Sequence, residues 1–321
     1  MFQEAIKNFG INFEALNERN TFSGGDLITG QIRFDLTKET KINAITMKMK
    51  GGANVHWSTS SGTGKRKRRK TYSARVDFFT YKSVLVCNAA VNGKTRLPPG
   101  THVYPFSCQL PRGDFPSSFN GIHGRISYSL TVGFDRPWHL SKEFITELNF
   151  VNHIDPNQPE LWAPLSGSNS KTLCCLCCAS GPITMTVNLD KKAFKPGETA
   201  KMVCSFSNAS SRTATPKVKL QQKQMYYTHS RNSKRMVFKQ LAWVSGEPIG
   251  AHTSDVQSEI LLTIPSSASL TVSNCSILEV DYFIEVSLCV TGSADLTVLF
   301  PIILYEVRSH AHPMQYSGAN I

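Results

Sequence analysis

Apolar and polar residues alternate along this chain with a period of two, and no window of helical length shows a 3.6-residue period with capping signals. Residues i and i+2 of a strand share a face, so each alternating run buries one side and wets the other. Within 26–36, Ile28, Ile32, Phe34 and Leu36 fall on one side, and within 125–132 Ile126, Tyr128, Leu130 and Val132 do the same. The pattern recurs over 182–189, 200–206, 256–264 and 280–290. Turn clusters such as Ser23-Gly24-Gly25-Asp26, Leu97-Pro98-Pro99-Gly100 and Lys195-Pro196-Gly197-Glu198 separate the runs. Short strands punctuated in this way predict an all-β chain of β-sandwiches and argue against a long α/β enzyme core.

The chain also repeats itself. Phe22, Gly25, Asp26 and Phe34 recur as Phe194, Gly197, Glu198 and Phe206 at one constant spacing of 172 residues (194 − 22). Pro116-Ser117-Ser118 precedes the strand of Tyr128, and Pro265-Ser266-Ser267 precedes that of Tyr282, at the smaller spacings of 149 (265 − 116) and 154 (282 − 128). The second copy therefore has shorter loops. Duplication fits the 321-residue length, which corresponds to about two domains. Between the copies, Pro156, Pro159 and Pro164 and the Ser/Gly/Asn run up to Lys171 read as unable to sustain a ladder, because proline removes a donor. The expected division is a first sandwich over 1–152, a linker over 153–181, a second sandwich over 182–308 and a frayed tail over 309–321. Leu161 and Trp162 are expected to cover one of the sandwiches.

Lysine and arginine exceed aspartate and glutamate by 35 to 23, a net charge of +12. Such an excess favours anionic partners without choosing among phosphorylated tails, anionic lipid and nucleic acid. The opening residues lack the order of a signal peptide, and the longest apolar stretch, 296–307, holds Pro301 and falls short of the ~20 residues a bilayer needs. The chain is expected to be intracellular, with its nine cysteines reduced and its two Asn-x-Ser sequons, at Asn208 and Asn274, chance matches.

Six contiguous cations, Lys65, Arg66, Lys67, Arg68, Arg69 and Lys70, follow a Ser/Gly-rich approach and supply half of the net charge. They read as a loop between two strands. The loop is either simply solvated, an anion-binding element or a nuclear-import signal. Against an anionic leaflet, roughly 1 kcal/mol per basic residue would give at most about 6 kcal/mol. Base recognition would want aromatics interleaved with the charges, whereas Trp57 and Tyr72 only flank them, so no nucleic-acid partner is expected. Cys174, Cys175, Cys177 and Cys178 could be small apolar residues entering a strand, lipidation sites or metal ligands. Zinc usually takes two separated cysteine pairs, and no second pair is present, so no metal or other cofactor is expected. No G-x-S-x-G, H-E-x-x-H or G-x-G-x-x-G motif occurs, and the chain is not expected to be an enzyme.

The segment Leu97-Pro98-Pro99-Gly100 through Tyr104-Pro105-Phe106 to Leu110-Pro111 resembles the arrestin-superfamily pattern. Phe115-Pro116-Ser117-Ser118-Phe119, Gly121, Gly124, Tyr128 and Asp135-Arg136-Pro137-Trp138 are similar to the corresponding run of the α-arrestins. The second copy agrees at Ser180-Gly181-Pro182-Ile183, Phe194–Glu198, 275–282 and 299–302, so the likeness covers roughly residues 9–308. This resemblance implies two arrestin-like, immunoglobulin-like β-sandwich domains in tandem with a short hinge. It also implies a non-catalytic trafficking adaptor, cytoplasmic and peripheral at the plasma membrane and endosomes. Its partners would be membrane receptors or transporters and HECT-type ubiquitin ligases, whose WW domains read Pro-Pro-x-Tyr motifs. The nearest such motif here, Pro313-Met314-Gln315-Tyr316, lacks the second proline, which weakens the preformed polyproline helix that WW grooves read. A stable coat or scaffold subunit of a sorting complex is the alternative. Arg136 is expected to be a buried, paired cation where the domains meet, with Trp138 packed beside it. The acidic latch loop of receptor-binding arrestins has no counterpart, since Thr263 to Ser276 carries no charge.

Overall fold

The computed structural model describes residues 5–14, 16–17, 19–62, 68–87, 95–138, 141–175 and 178–308. Contacts divide the chain into two compact units. One holds the described residues of Met1–His56, Ser73–Asn152 and Arg308–Ile321, and the other those of Trp57–Tyr72 and His153–Val307.

Among the described residues, eleven strands lie before the central connection: β1 (Ile6–Phe13), β2 (Thr21–Phe22), β3 (Leu27–Leu36), β4 (Thr40–Ile42), β5 (Ala44–Ser61), β6 (Arg68–Cys87), β7 (Thr95–Leu97), β8 (Gly100–Gln109), β9 (Phe119–Asn120), β10 (Gly124–Asp135) and β11 (Lys142–Phe150). They form one sheet in the order β1-β3-β8 and a second in the order β2-β11-β10-β5-β6, with β9 on β10 and a small β4–β7 pair. The alternation places Ile28, Ile32, Phe34 and Leu36 of β3 and Ile126, Tyr128, Leu130 and Val132 of β10 in the core, each 3% exposed or less. Phe34 meets Phe134 edge to face at 4.8 Å, so the two inner faces interlock through aromatic rings.

Nine strands follow among the described residues: β12 (Leu165–Cys175), β13 (Cys178–Leu189), β14 (Ala193–Phe194), β15 (Thr199–Asn208), β16 (Ala214–Tyr227), β17 (Lys234–Ser245), β18 (Thr253–Thr263), β19 (Leu278–Val290) and β20 (Leu296–Leu304). Their sheets run β12-β13-β15-β18 and β14-β20-β19-β16-β17. This is the β-sandwich plan of the first half again. Between Pro159 and Leu161 lies one 3₁₀ turn.

The duplication holds bond for bond. The Ser23 N–H donates to Asp26 Oδ2 at 2.7 Å, and the Lys195 N–H to Glu198 Oε2 at 2.8 Å. Gly25 and Gly197 both have positive φ, +81° and +90°. The Gly25 N–H donates to the Leu110 carbonyl and the Gly197 N–H to that of Ile264. Phe22 pairs in parallel with Phe150, and Phe194 with Leu304. A carboxylate closing a tight turn on a left-handed glycine is thus the local unit that repeats at 172 residues (194 − 22).

Two expectations change. The linker over 153–181 is too long, because residues from Leu165 onward form β12, which pairs antiparallel with β13 from Leu165↔Leu189 to Cys175↔Cys178. All three prolines precede that strand, and serine, asparagine and threonine suffice for an edge strand wet on its outer side. The prolines do shape 153–164, where Leu161 is buried with Ala193 and Tyr305 and the Trp162 Nε1–H donates to the Pro156 carbonyl at 2.7 Å. The second change concerns the basic run: Arg68, Arg69 and Lys70 open β6 instead of lying in a loop. Neighbouring side chains on a strand point to opposite faces, so three consecutive cations repel less there than in a compact turn.

Candidate interaction surfaces

At the near end of the β5–β6 hairpin, the Trp57 ring is 3% exposed and stacks on Tyr72 at 5.3 Å and 13°. Lys70 Nζ sits 5.1 Å from the centre of the Tyr72 ring, and the Arg69 Nε–H donates to Ser58 Oγ at 3.1 Å. The aromatic pair fixes the strands, and the side chains of Arg68, Arg69 and Lys70 are left exposed. Lys65, Arg66 and Lys67 lie outside the described residues.

Cys174 pairs with Ala179 and Cys175 with Cys178, so these three cysteines stand at the last backbone pairs of the β12–β13 ladder. Cys177 and the side chains of Cys174, Cys175 and Cys178 lie outside the described residues. Four other cysteines, Cys108, Cys204, Cys275 and Cys289, are free thiols. Burial pushes the Cys108 and Cys204 thiols up to about 11, so both stay protonated and inert at neutral pH. Among the described residues no three His, Cys, Asp or Glu side chains gather as metal ligands, and no helix is long and apolar enough to cross a membrane.

Trp138 is fully exposed, so the expected packing of its ring beside Arg136 is corrected. Its backbone adopts φ +61° in the turn after β10, and that left-handed step carries the ring into solvent. Arg136 is half-buried, and its Nε has no hydrogen-bond partner among the described residues. Pro313 and Tyr316, the degenerate WW-ligand pair, lie outside the described residues. The first unit carries an open cleft of about 550 Å³ between Phe79–Tyr81 and Gln109–Arg112.

One surface escapes the alternation rule. β17 reads Lys-Arg-Met-Val-Phe-Lys-Gln-Leu-Ala-Trp-Val-Ser, with apolar residues on both phases. Met236, Phe238 and Trp243 are 51, 57 and 63% exposed. Beside them on the same sheet face, Lys219 pairs with Glu285 at 3.0 Å and Lys223 with Asp281 at 3.3 Å. An unalternated apolar run at the end of a sheet is the one signal by which the sequence could have marked it.

Residues 9–157 match the family model for the arrestin (or S-antigen) N-terminal domain, and residues 179–309 match that for the arrestin (or S-antigen) C-terminal domain. The chain is similar to arrestin domain-containing protein 4 of Mus musculus, at 27% identity over 301 residues, covering 93% of this chain and 72% of the relative. The Homo sapiens protein of the same name is 26% identical over 303 residues, covering 93% and 71%. Thioredoxin-interacting protein of Sus scrofa is 24% identical over 308 residues, covering 95% and 75%. Each domain match falls on one of the two repeated sandwiches, in the arrestin order. The protein belongs to the arrestin family and, within it, to the α-arrestins.

Proposed function

We propose that this arrestin-type adaptor binds cytoplasmic segments of membrane receptors or transporters, rests against anionic membrane, and links its cargo to ubiquitin ligases for endocytosis and sorting. The non-catalytic adaptor role is the one its family carries. The observation that supports the cargo reading is the set of strand edges. Among the described residues, each half of the chain ends its sheets in strands paired on one side only: β1, β8, β2 and β6 in the first, β12, β18, β14 and β17 in the second. An extended cytoplasmic tail can add to such an edge through main-chain hydrogen bonds, with side-chain pockets supplying selectivity. The exposed cations of β6 supply charge for an anionic leaflet. Ligase coupling would run through Pro313 and Tyr316, whose motif lacks one proline of the sequence that WW domains read.

The test is capture by the purified full chain of cytoplasmic tails from a panel of receptors and transporters, with isolated HECT-ligase WW domains in parallel. Saturable, tail-dependent capture is expected. Co-purification with one partner at fixed stoichiometry, with no tail captured, would make the protein a coat subunit instead. Cargo capture without WW binding would remove the ligase link alone.

A further inference from the structure

β17 is the last strand of its sheet, with β16 on one side and no strand on the other among the described residues. Three bonds fix the direction of its main-chain groups. The Gly246 N–H donates to the Pro216 carbonyl, the Thr228 N–H to that of Ser233, and the Tyr227 N–H to that of Ile277 just before β19. In an antiparallel ladder these directions alternate residue by residue. The N–H and C=O groups of Arg235, Val237 and Lys239 therefore face β16, and those of Lys234, Met236 and Phe238 face the open edge.

The side chains sort by face. Phe238 lies opposite Lys223 and Met236 opposite Met225 on one face, while Lys239 lies opposite Gln222 and Arg235 opposite Tyr226 on the other. Lys234, Arg235 and Lys239 are exposed and form no ion pair among the described residues. The acids on β19 are already engaged: Glu285 with Lys219, Asp281 with Lys223 and Glu279 with Arg231. The strand thus shows three uncompensated cations on an open edge beside two large exposed apolar side chains.

Charge on an edge often serves only to repel other edges, and a bulge does the same. The register shift opposite Leu220 and Gln221 interrupts β17 after Gln240 in that way. The run Lys234–Gln240 is left regular, about 23 Å long at ~3.3 Å per residue. Exposed Met236 and Phe238 within it are what a merely protective edge avoids.

We propose that Lys234–Gln240 receives an extended segment of a partner protein as an added strand, one that alternates acidic and apolar residues. Its carboxylates lie against Arg235 and Lys239, and its apolar side chains lie beside Met236 and Phe238. A second copy of β17 would set like charges against each other, and lipid offers no row of alternating donors and acceptors at strand spacing to match the N–H and C=O groups of the edge. The inference deepens the adaptor reading, and rests on it, by naming one docking edge and the chemistry of its ligand.

The test is fluorescence anisotropy of the full chain with three labelled nine-residue peptides: alternating Glu and Val, the same residues in two blocks, and alternating Lys and Val. The first is expected to bind about tenfold more tightly than the others. Arg235→Glu with Lys239→Glu, both at exposed positions, should reverse the preference towards the Lys–Val peptide. Phe238→Pro, which deletes an edge donor and no β16 bond, should lose binding. Should that variant fail to fold, the charge reversal still decides. Equal binding of all three peptides, or an unchanged preference after reversal, overturns the proposal. Binding to phosphatidylserine vesicles but to no peptide assigns the patch to lipid and overturns it, and so does a dimer that the reversal dissociates. If the peptides fail while receptor or transporter tails are still captured, the β17 assignment falls and the adaptor reading stands.

Discussion

The Tyr282 hydroxyl donates to the backbone carbonyl of Ser269 at 2.7 Å and accepts from Gln222 Nε2 at 2.6 Å. Tyr128 makes the corresponding bond in the first sandwich, to the Pro116 carbonyl at 2.6 Å. Both tyrosines are 1% exposed, and both tie a central strand to the Pro-Ser-Ser connection that precedes it. Tyr128→Phe should cost about 1–3 kcal/mol, because the buried Pro116 carbonyl loses its donor, and Tyr282→Phe about 1 kcal/mol, because the Ser269 carbonyl is only part-buried. Urea denaturation followed by fluorescence measures this, and unshifted midpoints in both variants would show that the bonds add nothing net.

Gly197 and Gly25 test the repeated turn. Alanine at a left-handed position costs roughly 1–2 kcal/mol from the backbone alone. At Gly197 a Cβ would meet nothing nearer than 3.7 Å, so the whole loss there is conformational. Asparagine, which tolerates this region better, should recover part of it. At Gly25 a Cβ would come within 3.1 Å of Arg112 Cγ, a flexible side chain that can move, so Gly25→Ala should cost a similar amount. Thermal melts that rank Asn below Ala at Gly197 would contradict a left-handed turn.

The buried thiols give the fold an alkaline limit. Cys108 and Cys204 are raised from 9.0 to about 11, which means the native state holds protons that the unfolded chain releases. Stability from this source is complete below pH 9 and declines as pH rises through 11. Denaturation midpoints taken from pH 8 to 11 should fall. In Cys108→Ala with Cys204→Ala the slope should flatten, even though the lost packing lowers the curve as a whole.

These relationships differ in how far the sequence announces them. Ile28, Ile32 and Phe34 face inward because alternation leaves no other way to bury them. The two Pro-Ser-Ser…Tyr repeats mark the duplication in the sequence, whereas the hydroxyl bonds of Tyr128 and Tyr282 emerge only in the structure. The strand 165–175 is hidden because an edge strand needs no apolar face, so its serines and asparagines imitate a linker. Trp138 depends on one left-handed residue whose sequence resembles any tight turn. β17 escapes for the opposite reason: apolar residues on both phases mimic a buried strand, and only topology reveals that one side of it is open. Interaction surfaces are thus the least legible part of such a chain, since periodicity encodes burial and says little about which exposed edge is used.

The basic end of β6 allows a final prediction that separates charge from fold. Arg68, Arg69 and Lys70 are exposed, and Trp57 stacked on Tyr72 holds the strands with or without them. Replacing the three cations by serine removes only the exposed Arg69–Ser58 bond and the Lys70–Tyr72 ring contact, so the melting temperature should fall by no more than a few degrees. Sedimentation with phosphatidylserine vesicles at low salt should weaken, by up to ~3 kcal/mol if each residue contributes about 1 kcal/mol. Raising the salt to roughly 0.5 M should erase the difference between variant and parent, because the Debye length then shrinks to about 4 Å. Trp57→Ala is the counterpart: it should lower the melting temperature and leave the cations in place. If vesicle binding follows the tryptophan and ignores the three cations, the membrane contact belongs to an apolar surface and the charge at this hairpin is solvated.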